Sequence, residues 1–211
     1  GNWNISKVTN LDGMFQSAYE FNQDINTKKV TVNGKTYTSW DTSNCKSMNG
    51  LFSYAKKFNK DIGNWDTSKC KYMNYLFKYA EKFNQNINTK KVTVNGKTYT
   101  AWDTSKVTSM NAMFQQTFSF NQDIGNWNIS NVTDISAMFF RSYGFNQNIN
   151  TKEVTVNGKT YTAWDTSNVT NMNGVFHFSK NFNSDISNWD TSKVNYMKSM
   201  FSYTYNFNQD I

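Results

Sequence analysis

Residues 40–62 read WDTSNCKSMNGLFSYAKKFNKDI, and the spacing of their apolar positions decides what kind of fold the chain adopts. Cys45, Met48, Leu51, Phe52, Ala55 and Phe58 fall at steps of three and four, the spacing of one helical face. Asp41, Thr42 and Ser43 stand just upstream as helix-start residues, which predicts a short helix with Ser43 as its N-cap. The remainder, around Asn59 to Ile62 and Trp65-Asp66, must return the chain to the next such segment. Short parallel strands are the expected means, because stacked coils offer each strand an identical partner about 4.8 Å away.

The stretch is one of seven. Trp recurs at 3, 40, 65, 102, 127, 164 and 189, so the spacing alternates between 37 and 25 residues. Each unit starting at Trp3, Trp40, Trp65, Trp102, Trp127, Trp164 or Trp189 repeats the Trp, a Ser three residues on, two Phe, the Asn after the second Phe and a final Ile. Periods of this size mean a stacked array, and a unit this short must bury its apolar face on its neighbours. The expected fold is an α/β solenoid: a leucine-rich-repeat-like stack of seven short strand-helix coils, one array over residues 1–211. Identical side chains would then form ladders. Phe58, Phe83 and Phe120, with Phe21, Phe145, Phe182 and Phe207, make an aromatic spine; Asn59, Asn84 and Asn121, with their equivalents from Asn22 to Asn208, make an amide ladder. The chain begins at GNW and ends at NQDI, both mid-repeat, and is expected to be a fragment of a longer array.

The long spacing comes from inserts at 26–39, 88–101 and 150–163. Their centre, as in KKVTVNGKTYT at residues 28–38, is Asn-Gly between β-branched and aromatic residues. A type I′ hairpin turn needs positive φ at both central positions, which this pair supplies. With Asn33-Gly34 as the loop, Val32 faces Lys35 and Val30 faces Tyr37. Lys28, Val30, Val32, Lys35 and Tyr37 then share one face, and Lys29, Thr31, Thr36 and Thr38 the other. Two coils advance roughly 9.6 Å, about the width of two paired strands, so hairpins on alternate coils are expected to tile edge to edge into one six-stranded sheet.

Charge follows the inserts. They hold Lys28, Lys29, Lys35, Lys90, Lys91, Lys97, Lys152 and Lys159 against one acid, Glu153, which equals the whole chain's net charge of +7. Of the 22 basic and 15 acidic residues, the coils therefore keep fourteen of each. Two readings of this basic stripe stand: edge lysines that guard hairpins against aggregation, or attraction of a polyanion.

Composition excludes other classes. The 17 Phe, 12 Tyr and 7 Trp supply too much buriable area for a disordered chain, and no apolar run of about 18 residues exists to span a membrane. AT-rich coding accounts for part of the Asn, Lys, Phe, Tyr and Ile excess. No paired-His or Cys-x-x-Cys spacing points to a metal or a nucleophile, so no cofactor and no enzyme activity are expected. His177 is expected at an exposed helical position. Cys45 and Cys70 replace the Val of other coils and are expected as buried free thiols, a disulfide being the alternative. Asp41, Asp66, Asp103, Asp165 and Asp190, with Asn4 and Asn128, form a ladder read as turn or helix caps, calcium ligation being the rival.

Some columns vary from coil to coil. Fourteen residues after Trp come Ser17, Tyr54, Tyr79, Gln116, Arg141, Phe178 and Tyr203; two further on come Tyr19, Lys56, Glu81, Phe118, Tyr143, Lys180 and Tyr205. Tyr54, Tyr79, Phe178 and Tyr203 are candidate ligand contacts, with packing between neighbouring coils as the alternative.

The unit WDTSKVTSMNAMFQQTFSFNQDIGNW, residues 102–127, resembles the bacterial surface-protein repeat of about 25 residues. That repeat occurs in mollicute surface lipoproteins and listerial cell-surface proteins and is a relative of BspA-like leucine-rich repeats. The likeness covers the chain except the inserts. It implies an extracellular, cell-surface array, lipid-anchored in the full-length protein and touching the membrane only through an anchor outside this stretch. The expected function is adhesion or interaction with a host or cell-surface protein or an acidic glycan, through a repetitive basic and aromatic surface. A structural spacer or antigenically variable coat is one alternative and an anionic-glycan-binding module another; no specific nucleic-acid partner is expected.

Overall fold

The computed structural model describes all 211 residues and contains six short strands and no helix. Strands β1 (Lys28–Val32) and β2 (Lys35–Ser39), β3 (Lys90–Val94) and β4 (Lys97–Ala101), and β5 (Lys152–Val156) and β6 (Lys159–Ala163) form three antiparallel hairpins. Between them runs a succession of tight turns, laid coil upon coil. The expected α/β solenoid is thereby overturned, and the leucine-rich-repeat-like character with it, because neither the helix nor the return strand of each coil forms.

The backbone angles give the reason. Gly50 and Tyr54 have φ of 60° and 62°, and every coil has left-handed residues at the same two places, ten and fourteen residues after its Trp. A right-handed helix cannot pass through such residues. Their amides point out of the coil instead. Met48, Gly50, Phe52 and Tyr54 donate to the carbonyls of Tyr72, Asn74, Leu76 and Lys78 in the next coil at 2.7–3.0 Å. The intervening Leu51, Ser53 and Ala55 donate three residues back, to Met48, Gly50 and Phe52. Consecutive four-residue turns, two of them with a left-handed third residue as in type II turns, thus return an apolar side chain to one face every three or four residues. The helical spacing marks the buried face correctly, and Met48, Leu51, Phe52, Ala55 and Phe58 are fully buried, but it does not mark a helix.

What stacks the coils is a single line of parallel bridges, Asn10–Ser47–Tyr72–Ser109–Asp134–Asn171–Tyr196, seven residues after each Trp. Side chains add further columns. The Phe spine runs from Phe21 to Phe207 with ring centroids 5.8–6.2 Å apart, and a second Phe column lies against it, as Phe52 does on Phe58 at 4.0 Å. Asn59 Oδ1 accepts the amide N–H of Asn84, and Asn84 Oδ1 that of Asn121, at 2.9 and 3.0 Å. Each amide therefore satisfies the backbone N–H of the equivalent residue in the next coil. Trp65, Trp102, Trp127, Trp164 and Trp189 donate their indole N–H to Ile carbonyls at 2.9–3.0 Å. One contiguous core of 45 residues results.

Each hairpin pairs as its sequence dictates, with Val32 opposite Lys35, Val30 opposite Tyr37, and Asn33 and Gly34 at φ 51° and 73°. The six-stranded sheet does not form; there are three separate two-stranded sheets. Each hairpin leans on the previous one through side chains alone. Asn95 Nδ2 donates to Thr38 Oγ1, and Asn157 Nδ2 to Thr100 Oγ1, both at 3.1 Å. The inner faces rest on the coils, where Tyr99 and Tyr161 donate their hydroxyls to the carbonyls of Asn64 and Asn126.

Candidate functional site

The eight insert lysines do not form one outward basic face. Lys28, Lys90 and Lys152 stand at the hairpin bases: Lys28 Nζ lies 2.5 Å from Asp24, and Lys90 Nζ hangs over Gly63, where a Cβ would meet it at 3.0 Å. Lys97 crosses the Tyr99 ring and comes 4.0 Å from Asp66, while Lys35 and Lys159 occupy the equivalent turn positions, exposed. Only Lys29 and Lys91 belong to the outward face, beside Glu153 of the third hairpin and the hydrogen-bonded pairs Thr31–Thr36, Thr93–Thr98 and Thr155–Thr160. Alternation alone sorts them: the period of two puts the other lysines on the face that rests on the coils, where Lys28 and Lys97 meet Asp24 and Asp66.

Beneath the second hairpin lies a cleft of about 160 Å³ lined by Asp41, Asp66, Lys97, Tyr99 and three threonines. Burial, then Asp66 and Asp41, push the Tyr99 hydroxyl well above its ordinary value; Tyr161 under the third hairpin is pushed up to about 12, chiefly by burial. Asp66 Oδ1 is occupied by the Ser68 backbone and hydroxyl at 3.1 and 2.6 Å. The same bond, from the amide two residues on, is made by Asp41, Asp103, Asp165, Asp190, Asn4 and Asn128. These residues cap turns, and Ser43, expected as a helix cap, donates its N–H to Asp41 instead. No three His, Cys, Asp or Glu side chains gather as a metal site would require. Cys45 and Cys70 are buried and unpaired, with pKa pushed up to about 11 and about 12 by burial.

The variable columns make a different surface. Tyr54, Tyr79, Gln116, Arg141, Phe178 and Tyr203 all occupy the second left-handed position of their coils, with φ of 55–62°. Tyr54 stacks on Tyr79 at 4.3 Å, Gln116 Nε2 donates to the Tyr79 hydroxyl at 2.8 Å, Arg141 lies 5.0 Å from the Phe178 ring, and Phe178 stacks on Tyr203 at 4.4 Å. The side-chain contacts along this row form two runs, Tyr54–Tyr79–Gln116 in coils two to four and Arg141–Phe178–Tyr203 in coils five to seven. The second column lies alongside, with Phe118 on Tyr143 at 5.2 Å, Lys180 over Tyr143 at 5.3 Å, and Lys56 paired with Glu81 at 3.0 Å.

His177 is not on a helix. It sits half-buried in a turn one residue before Phe178, with Nδ1 held 2.9 Å from the Ser202 carbonyl and its ring against Phe178 and Phe140. A carbonyl only accepts, so this nitrogen carries the proton. The sequence reading expected His177 to face solvent from a helix, and its packing with Phe140 escaped that reading; the signal available was its place immediately before a variable position.

Comparison with known proteins fits this arrangement of tandem coils. The chain belongs to the family described as Mycoplasma protein of unknown function, DUF285, which it matches over residues 1–99, 95–157 and 151–211. The family supports a mollicute repeat and does not support BspA-like leucine-rich repeats in particular. No curated protein and no solved structure matches the chain.

Proposed function

We propose that the chain is a non-enzymatic cell-surface module, lipid-anchored through another part of the protein, that contacts a host or cell-surface partner through the row from Tyr54 to Tyr203. One observation carries this reading. A side chain in the left-handed region costs about 1–2 kcal/mol relative to glycine. At the first left-handed position three coils use glycine, Gly13, Gly50 and Gly174, as economy dictates. At the second no coil does, and five of the seven carry Tyr, Phe or Arg. Folding does not demand these side chains there, since Ser17 fills the same place in the first coil at φ 60°. Held by stacking, the row loses little conformational freedom when a partner arrives.

Replacing Tyr54, Tyr79 and Phe178 together with Ser tests it by the binding of purified chain to host cells. Affinity should fall about tenfold or more, the effect of truncating central aromatic contacts, with the far-ultraviolet spectrum unchanged. A variant with all eight insert lysines changed to Ser should keep most of the binding. Loss in the lysine variant with none in the row variant would return the contact to the hairpins. Continuous hydrogen-bonded columns also favour a stiff spacer, and in that case neither variant would change binding.

A further inference from the structure

The row contains one side chain unlike the rest. Arg141 is the only arginine of the chain, whose 21 other basic residues are lysine. Its guanidinium lies against the rings of Phe140 and Phe178, with its central carbon 5.3 and 5.0 Å from their centroids, and the two rings themselves meet edge to face at 6.3 Å. The Nε atom is buried without a hydrogen-bond partner, and none of the chain's four ion pairs includes Arg141. His177, locked to the Ser202 carbonyl, packs against both phenylalanines and fixes the slot. The only acid in either variable column, Glu81, lies two coils away and is paired with Lys56. A flat cation resting against a corner of two edge-to-face rings, with no protein anion on its fork, is prepared for a planar anion in a way that a lysine at the same place is not.

We propose that Arg141 is the anchor of a binding site for the carboxylate of an acidic sugar, a refinement that rests on the contact row described above. Its neighbours favour a sugar over an acidic peptide. On one side along the stack the next positions are the Gln116 amide and the Tyr79 hydroxyl, already hydrogen-bonded to one another and suited to ring hydroxyls. On the other side stand the stacked rings of Phe178 and Tyr203, suited to the apolar edge of a sugar ring. A carboxylate flanked by hydroxyls and by C–H groups describes an acidic sugar. A glutamate or aspartate side chain carries its carboxylate on a flexible arm and brings no hydroxyls to the amide and hydroxyl beside it.

Calorimetric titration of the whole chain with a hyaluronan oligosaccharide, which carries internal carboxylates, and with sialyllactose, which carries a terminal one, tests the site. One of the two should bind, its carboxyl-reduced form should not, and Arg141→Gln should weaken binding about tenfold or more, the loss expected for a charged hydrogen-bonded pair. Gln116 shows that glutamine is accommodated at this position at φ 57°, so the variant keeps the fold. Arg141→Lys should rescue binding only in part. Binding of neither sugar, equal binding of a reduced form, indifference to Arg141→Gln, or preference for an oligoglutamate peptide would each overturn the proposal. If the Tyr54, Tyr79 and Phe178 variant abolishes cell binding while both sugars fail, the row stands and the ligand class falls. If that variant leaves cell binding intact, the row falls whatever the sugars do.

Discussion

The coils and the hairpins use the same kind of residue to opposite ends. In the coils every column reaches across to the next turn of the stack: Asn59 to Asn84, Thr42 to Asp66, Trp65 to Ile25, Tyr54 to Lys78. In the hairpins nearly every bond is made at home, strand to strand and Thr to Thr, with a tyrosine hydroxyl and one asparagine as tethers. The difference teaches where cooperativity resides. A coil removed from its neighbours loses its core and its backbone partners together, whereas a hairpin keeps its own pairing and loses two side-chain bonds.

Damage should therefore spread in one region and stay local in the other. Phe83→Ala, in the middle of the buried spine, should destabilise the chain by about 3–5 kcal/mol in urea unfolding. Asn84→Ala comes next: it removes two hydrogen bonds, to the Asn121 amide and to Gln122, at about 0.5–1.5 kcal/mol each, and faster hydrogen exchange should appear in the neighbouring coils. Tyr99→Phe removes one hydroxyl bond, about 0.5–1.5 kcal/mol, and exchange should quicken in β3 and β4 while the coils are unaffected. Equal spread from Tyr99→Phe and Asn84→Ala would erase the distinction between the regions.

Alkali offers a subtler probe. Burial holds the Cys70 thiol protonated, its pKa raised from 9.0 to about 12. Because the thiol ionises more easily in the unfolded chain, its contribution is complete below pH 9.0 and is lost as pH climbs toward about 12. Cys70→Val, the residue used by the fourth coil at Val107, should flatten that part of the stability profile and leave neutral stability nearly unchanged. Both thiols should resist a thiol reagent near neutral pH until the chain unfolds.

The periodicity of the sequence already marks which residues face the core and where coils begin and end. The Asn-Gly pair and strict alternation give the hairpins down to their register. What spacing does not distinguish is a helix from a run of four-residue turns, since both bring Met48, Leu51, Phe52 and Ala55 to one side. The trace of the second solution was Gly at the first left-handed position of three coils, which a helix interior disfavours. The site was half legible. The row is visible as a variable column, but Arg141 and His177 sit on successive coils, and only their stacking brings Phe140 and Phe178 against the guanidinium. The hairpin lysines attract notice by their number, although alternation, already legible in the sequence, leaves only Lys29 and Lys91 on the outward face.

The left-handed row and the helix-free coil rest on one bond, from the Tyr54 amide to the Lys78 carbonyl of the next coil at 2.7 Å. Scalar coupling across hydrogen bonds, measured on perdeuterated, uniformly labelled chain, reports it directly. A coupling from Tyr54 nitrogen to the Lys78 carbonyl carbon is the predicted result. A coupling from Tyr54 to the carbonyl of Gly50 would restore the helix and contradict the account.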